Sequence, residues 1–108
     1  MDTPIISVRA HAAVAHGSIV RNAIVRYPLR PSPSQPPVVI PFTAEIHSTT
    51  AINGVIVVAP ANFALPSDLT TAPDLTDAGA FDRFLDRLAA AVPPLDPSIP
   101  AEVITIEF

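Results

Sequence analysis

The side chains best suited to metal chemistry are His11, His16, His47 and Glu45. His11 and His47 lie on the polar side of two segments in which apolar and polar residues alternate, the pattern of a half-buried strand. If those strands were neighbours, His11, His47 and Glu45 would offer the nitrogen and carboxylate ligands that zinc accepts. That pairing is unproven, and the spacing between His11 and His16 matches no metal-binding motif. We therefore expect the histidines to lie on the surface, with no metal or other cofactor bound.

The carboxylates give little support for acid–base catalysis. Asp82 and Asp86 are four residues apart, but each has an arginine next to it, which is typical of the solvated face of an amphipathic helix. Asp68 and Asp74 lie in an irregular stretch, where carboxylates usually accept hydrogen bonds from nearby backbone N–H groups. No serine lies in the Gly-x-Ser-x-Gly sequence of a hydrolase nucleophile. These residues predict that the protein is not an enzyme.

The composition excludes further kinds of chemistry and of partner. The 108 residues include no cysteine, and all six basic side chains are arginine, so thiol nucleophiles, thiolate metal sites and Schiff-base lysines are ruled out. Three glycines and a formal charge of −4 disfavour a Gly-rich phosphate loop and nucleic-acid binding. No apolar run reaches the ~18 residues of a membrane span, and the first residues lack the features of a signal peptide. We expect a cytoplasmic or virion protein that binds neither nucleic acid nor membranes.

Alternating hydrophobicity predicts strands over residues 5–15 and 19–27, with a turn at Gly17 between them. The second segment also fits a helical face, but its β-branched residues favour a strand with a bulge near Asn22. The apolar residues of the first strand are expected to share one face of the sheet: Ile6, Val8, Ala10, Ala12 and Val14.

A proline-rich stretch follows these two strands. Residues 28–37 contain five prolines and are expected to form an extended connector, because proline cannot donate a hydrogen bond to a β-ladder. The connector begins with a P-x-x-P sequence: Pro28, Leu29, Arg30 and Pro31. We expect these residues to form an arm that packs on the domain or latches onto a neighbouring molecule.

The clearest local signals come in the middle of the chain. Residues 42–52 alternate and predict a strand, and the Asn53-Gly54 dipeptide that follows favours a two-residue hairpin turn. Val55–Ala59 is apolar on both faces, which predicts a central strand covered above and below.

The last third of the chain predicts one helix and one strand. A continuous apolar stripe indicates a helix over residues 77–92, capped by Thr76 or Asp77. Residues 101–108 are expected to form a strand that returns parallel to an earlier one. The predicted fold is a single α+β domain, a largely antiparallel sheet of about five strands with one amphipathic helix in its C-terminal half, in the order β-β-β-β-α-β.

The excess of apolar residues predicts association with other molecules. The mean hydropathy is +0.44, and a single helix covers only one face of a sheet. We expect the other face to be buried against copies of the chain or other assembly proteins through the following residues: Val38, Val39, Ile40, Phe42, Val55, Ile56, Val57 and Val58. The leading hypothesis is a structural subunit of a homo-oligomer or larger assembly, such as a coat-associated, decoration or tail-joining protein of a virion.

Two alternatives remain open at this point. One is a small inhibitor or adaptor that binds a cellular protein through the acidic residues of 68–86. The other is a small metal- or ligand-binding domain that uses His11, His47 and Glu45.

Overall fold

The computed structural model describes residues 5–29, 37–41, 49–70, 73 and 77–107, and it shows an α+β fold. It contains six strands, one α-helix and one 3-10 turn: β1 (Ile5–Ala15), β2 (Ser18–Pro28), β3 (Val38–Pro41), β4 (Thr49–Ala51), β5 (Gly54–Pro60), the 3-10 turn Ser67–Leu69, α1 (Ala78–Ala91) and β6 (Ala101–Glu107). The predicted fold class and the position of the helix are confirmed. Among the described residues, no helix has the length and hydropathy needed to cross a membrane.

One sheet contains all six strands. Five of them have the order β3-β2-β1-β5-β6, and β4 pairs with β1. β1 pairs antiparallel with β2 on one side, and on the other it pairs parallel with β4 and then with β5. β6 pairs antiparallel with β5. The predicted parallel return of the last strand is therefore wrong, because β6 runs opposite to the strand beside it.

The predicted hairpin at Asn53-Gly54 is also wrong. β4 and β5 follow one another along the same side of β1; Asn53 lies between them, and Gly54 is the first residue of β5. Between the pairs Arg9–Ala51 and Ala12–Val55, β1 contributes two residues and the β4–β5 side contributes three, which is a one-residue bulge. Neither residue of the dipeptide has the positive φ that a type I′ turn requires.

The pairing of β1 with β2 is also irregular at this level, on the other side of β1 from the bulge. The β1–β2 register runs from the pair Ala10–Ala23 to the pair Ala12–Arg21, and between them Asn22 adopts a left-handed conformation with φ of 50°. The register on either side of this point is the same, so no residue is inserted. The predicted irregularity near Asn22 is present, but as a left-handed residue and not as a bulge.

At this position in β1, side chains of the same parity change from one face of the sheet to the other. Ala10 belongs to one hydrophobic cluster together with Ala13, whereas Ala12 and Val14 belong to the other. The expectation that the even-numbered apolar residues of β1 share one face is therefore wrong beyond His11. A strand that switches faces in this way forms the corner of a bent or curled sheet.

The first hydrophobic cluster, the helix-side core, lies between the sheet and α1. The helix contributes an apolar stripe, the sheet contributes β1, β5 and β6, and the 3-10 turn contributes one leucine. The largest members are Val14, Val55, Val57, Leu69, Phe81, Phe84, Leu85, Leu88, Val92 and Ile106. Asp77 caps the helix by accepting a hydrogen bond from the Ala80 backbone N–H at 3.0 Å. Residues of the β1–β2 turn contact the other end: the Gly17 N–H donates to the Ala89 carbonyl, and the His16 Nδ1–H donates to the Val92 carbonyl at 2.8 Å.

The second cluster, the opposite core, lies on the other face of the sheet. It contains Val8, Ala10, Ala13, Ala23, Val25, Ile56 and Val58, all buried. The end of β2 and the start of β6 line one cavity through Tyr27 and Val103, although β1 and β5 separate these two strands in the sheet. The sheet therefore curls, and the chain itself closes the face that was expected to need a partner.

Candidate interaction surface

Three of the four large hydrophobic side chains that are exposed in the described residues lie at one end of the sheet. Ile5, Leu29 and Val38 are 55%, 58% and 52% exposed. The strand register brings them to the same end, because Ile5 pairs with Pro28 and Val38 pairs with Arg26. We call these three residues the apolar end. The fourth, Leu95, lies in the loop between α1 and β6.

A small cavity adjoins the apolar end. It has a volume of about 170 Å³ and is lined by Tyr27, Pro28, Leu29, Ala101, Glu102 and Val103. Sites for small-molecule ligands usually start at about 300 Å³, so this cavity suits a single inserted side chain of a partner better than a cofactor. Its position links the apolar end to the start of β6.

The residues predicted to form an interface divide into two groups. Val38 is exposed on the edge strand β3, and Val39 and Ile40 are half-buried beside it. Val55, Ile56, Val57 and Val58 are at most 2% exposed in the single chain. They offer no accessible surface to a second molecule, because the curl of the sheet and the helix α1 already cover them. Phe42 lies outside the described residues.

The predicted arm begins inside the sheet. Pro28 is buried as the last residue of β2, and Leu29, which follows it, is exposed. Arg30 and Pro31 lie outside the described residues. Pro28 is tolerated at this position because it ends its strand.

The candidate metal ligands do not form a cluster among the described residues. His11 is exposed, and it lines a cavity of about 160 Å³ with Arg9, Ala10, Asn22, Ala51, Ile52 and Asn53. The Arg9 Nε–H donates to the Asn22 side-chain oxygen at 3.3 Å. His16 contacts the end of α1, as described above. His47 and Glu45 lie outside the described residues, and within those residues no group of three metal-ligating side chains is found.

Two of the five acidic residues in the stretch 68–86 form ion pairs within the chain. Asp68 forms an ion pair with Arg87, and Asp82 forms one with Arg21, whose guanidinium carbon lies 5.2 Å from the centroid of the Phe81 ring. These pairs are exposed, so each contributes at most about 1 kcal/mol to stability. They neutralise part of the negative surface that the inhibitor hypothesis requires. The adjoining cleft of about 440 Å³ is also lined by both signs of charge, through Asp68, Arg83 and Arg87.

Sequence reasoning missed two features of the interaction surface. Ile5 was assigned to a strand but not to a contact, and the outer edge of β6 was not considered. The β6 sequence carried a signal, since its residues are mostly β-branched and include neither proline nor lysine. The exposure of Ile5 depends on its position at the end of the hairpin, which the alternation pattern does not reveal.

No protein-family model, curated protein or solved structure matches this chain, so the assignment of function rests on its own residues.

Proposed function

We propose that the protein is a non-enzymatic interaction subunit that associates with copies of itself, as a homo-oligomer or as a repeated component of a larger assembly such as a virion. The observation that supports this proposal is the apolar end, where Ile5, Leu29 and Val38 each expose more than half of their surface. Single exposed apolar side chains are common on monomers, but a group of them beside a cavity is typical of a protein contact site.

Several internal contacts favour binding over catalysis. Asp68 and Asp82 are engaged by arginines, and Asp77 caps α1. These carboxylates therefore have structural partners that account for their presence. The two smaller cavities, of about 170 and 160 Å³, are below the usual size of small-molecule sites, which starts at about 300 Å³.

Sedimentation velocity at micromolar concentration tests the proposal. The expected species is a dimer or larger oligomer of the 11.3 kDa chain. The Leu29→Asp variant is expected to lower the mean mass, because a carboxylate would have to be buried in the contact. The matched control is Leu95→Asp, which changes an exposed leucine outside the apolar end and is expected to leave the mass unchanged. A wild-type protein that stays monomeric under these conditions would contradict the proposal.

A further inference from the structure

The sheet ends in two edge strands that differ in how well they are protected. β3 has four residues and ends in Pro41, which has no N–H group to donate. β6 has seven residues, Ala101–Glu107, with neither proline nor lysine, and its two charged residues, Glu102 and Glu107, leave the central Val103–Ile106 uncharged. In the part of the chain that the structure describes, β6 pairs with β5 alone. Natural sheets usually protect such a long edge with charges, prolines or bulges, because it is a template for pairing with another chain.

Both hydrophobic cores extend to this edge. Ile104 packs against the helix-side core and Val103 packs against the opposite core. Each is only half-buried in the single chain. A strand added beside β6 would therefore cover apolar side chains on both faces of the sheet at once.

We infer that β6 pairs antiparallel with β6 of a second copy, so that two sheets join into one across a two-fold axis. This inference rests on the proposed function and names one of its contacts. It adds β6 as a second self-association surface, which adjoins the apolar end at the cavity that Leu29 lines with Ala101 and Val103.

The sequence of β6 selects one register. In a two-fold antiparallel pair, facing residues point to the same side of the sheet, and only an axis through Ile104 pairs all seven residues. Ile104 then faces its own copy, and Val103 faces Thr105. Such cross-strand pairs of β-branched residues stabilise a sheet.

The charges are compatible with this register. Glu102 faces Ile106, and Glu107 faces Ala101, so no carboxylate lies directly opposite another. Glu102 of one copy and Glu107 of the other are one residue apart along the joint, but they point to opposite faces of the sheet. The two copies of Glu102 are four residues apart along the joint, which is roughly 14 Å. An axis through Val103 would halve that separation, to roughly 7 Å along the strands, and would pair only five of the seven residues. This self-complementarity points to a second copy of the chain as the occupant of the edge.

The absence of cysteine from the natural sequence allows a direct test by cross-linking. In the inferred register the Cα atoms of the two Ile104 residues are about 4.5–5.5 Å apart, within the range of a disulfide. The Ile104→Cys variant is therefore expected to form a covalent dimer under mild oxidation. The matched control is Thr105→Cys. In the inferred register the Cα atoms of the two copies of residue 105 are roughly 8 Å apart, beyond the ~7 Å Cα–Cα limit for a disulfide. This variant is expected to remain uncross-linked.

A charge variant tests the same edge without oxidation. Thr105 is exposed, so Thr105→Lys is expected to keep the fold, as checked by circular dichroism. It places two lysines diagonally across the joint and removes two β-branched pairs, and it should weaken dimerisation at least roughly tenfold. Thr50→Lys is the control, because Thr50 is an exposed strand residue away from β6.

The outcomes separate this inference from the proposed function. If Leu29→Asp leaves a dimer that Thr105→Lys then dissociates, both proposals are supported. An oligomer in which Ile104→Cys fails to cross-link overturns the β6 pairing, although the proposed function survives. A wild-type monomer that Ile104→Cys does not cross-link overturns both.

Discussion

The two faces of the sheet are closed in different ways. On the helix side, α1 supplies a regular apolar stripe, and Leu85 and Leu88 have no exposed surface. On the opposite face, Val25 and Ile56 are at most 1% exposed without a helix over them among the described residues. There the strands curl towards one another at the bulge and at Asn22. The curl of the strands thus buries the opposite core, as the helix α1 buries the helix-side core.

The comparison shows why the irregular pairing is tolerated. A left-handed conformation costs most residues about 1–2 kcal/mol and asparagine less, and in the bulge the Ile52 N–H still donates to the Arg9 carbonyl at 2.9 Å. Burial of one large aliphatic side chain such as Ile56 stabilises the fold by about 1.5–3 kcal/mol. Seven side chains are buried in the opposite core, so the free energy that their burial contributes is larger than the cost of the irregular pairing at Asn22 and in the bulge.

The largest expected effect comes from matched truncations in the two cores. Leu88→Ala and Ile56→Ala each remove a fully buried side chain, and each is expected to lower the free energy of unfolding by about 2–5 kcal/mol. Urea denaturation of both variants measures this, with Leu95→Ala as the control that should stay within about 0.5 kcal/mol of wild type. A much smaller effect for Ile56→Ala than for Leu88→Ala would show that the opposite face is not closed by the chain itself.

The next largest loss of stability is expected on substitution of Gly54, in the bulge where β4 gives way to β5. A Cβ atom at this position would lie 2.3 Å from the Ile106 backbone oxygen, so the backbone must shift to accept any side chain. Gly54→Ala is expected to destabilise the protein by about 1–3 kcal/mol, as other overpacking substitutions do. The unfolding midpoint in urea measures this.

Gly17 provides the control, because its conformation and its surroundings differ from those of Gly54. It has a φ of 64° and no atom within 4 Å of an added Cβ. Gly17→Asn should therefore be tolerated, since asparagine accepts the left-handed conformation, whereas Gly54→Asn should be at least as harmful as Gly54→Ala. Equal tolerance at both glycines would contradict the role of close approach at Gly54.

A smaller effect is expected at Asn22, in the irregular pairing between β1 and β2. Its φ of 50° suits asparagine or glycine. Asn22→Ala should cost about 1 kcal/mol, whereas Asn22→Gly should be close to neutral. The difference between these two variants in urea denaturation isolates the backbone conformation from the exposed Arg9–Asn22 hydrogen bond, which both variants lose. Equal losses would instead assign the effect to that hydrogen bond.

The helix-side architecture could be predicted from local patterns, whereas the opposite face could not. The spacing of Phe81, Leu85 and Leu88 indicates a helix of the observed extent within one or two residues at each end, and Asp77 is its cap as expected. This works because helix periodicity and capping depend on residues a few positions apart.

The curl of the sheet depends on contacts between residues far apart in sequence. Asn53-Gly54 resembles a hairpin turn locally, yet the strands on either side of it are both held parallel to β1. The alternation in β1 is continuous through His11, so nothing in that strand alone marks the exchange of faces. The side chains of Val55–Val58, which were predicted to contact another molecule, are already buried in the two cores of the single chain.

The smallest effect on stability is expected at Asp96, which lies in the loop between α1 and β6 and belongs to neither core. Hydrogen bonds from the Ser98 backbone N–H, and secondarily from its hydroxyl, hold the pKa of Asp96 below its ordinary value of 3.8. A lowered folded pKa means that the ionised carboxylate stabilises the fold above the unfolded pKa, and that this stabilisation is lost as the pH falls through the folded pKa. Because Asp96 is fully exposed, the change in stability should be slight. The sharper measurement is the NMR titration of the Asp96 carboxyl group. Ser98→Ala should raise its pKa only part of the way to 3.8, since the backbone hydrogen bond is the larger cause and remains; a full return would assign the shift to the hydroxyl instead.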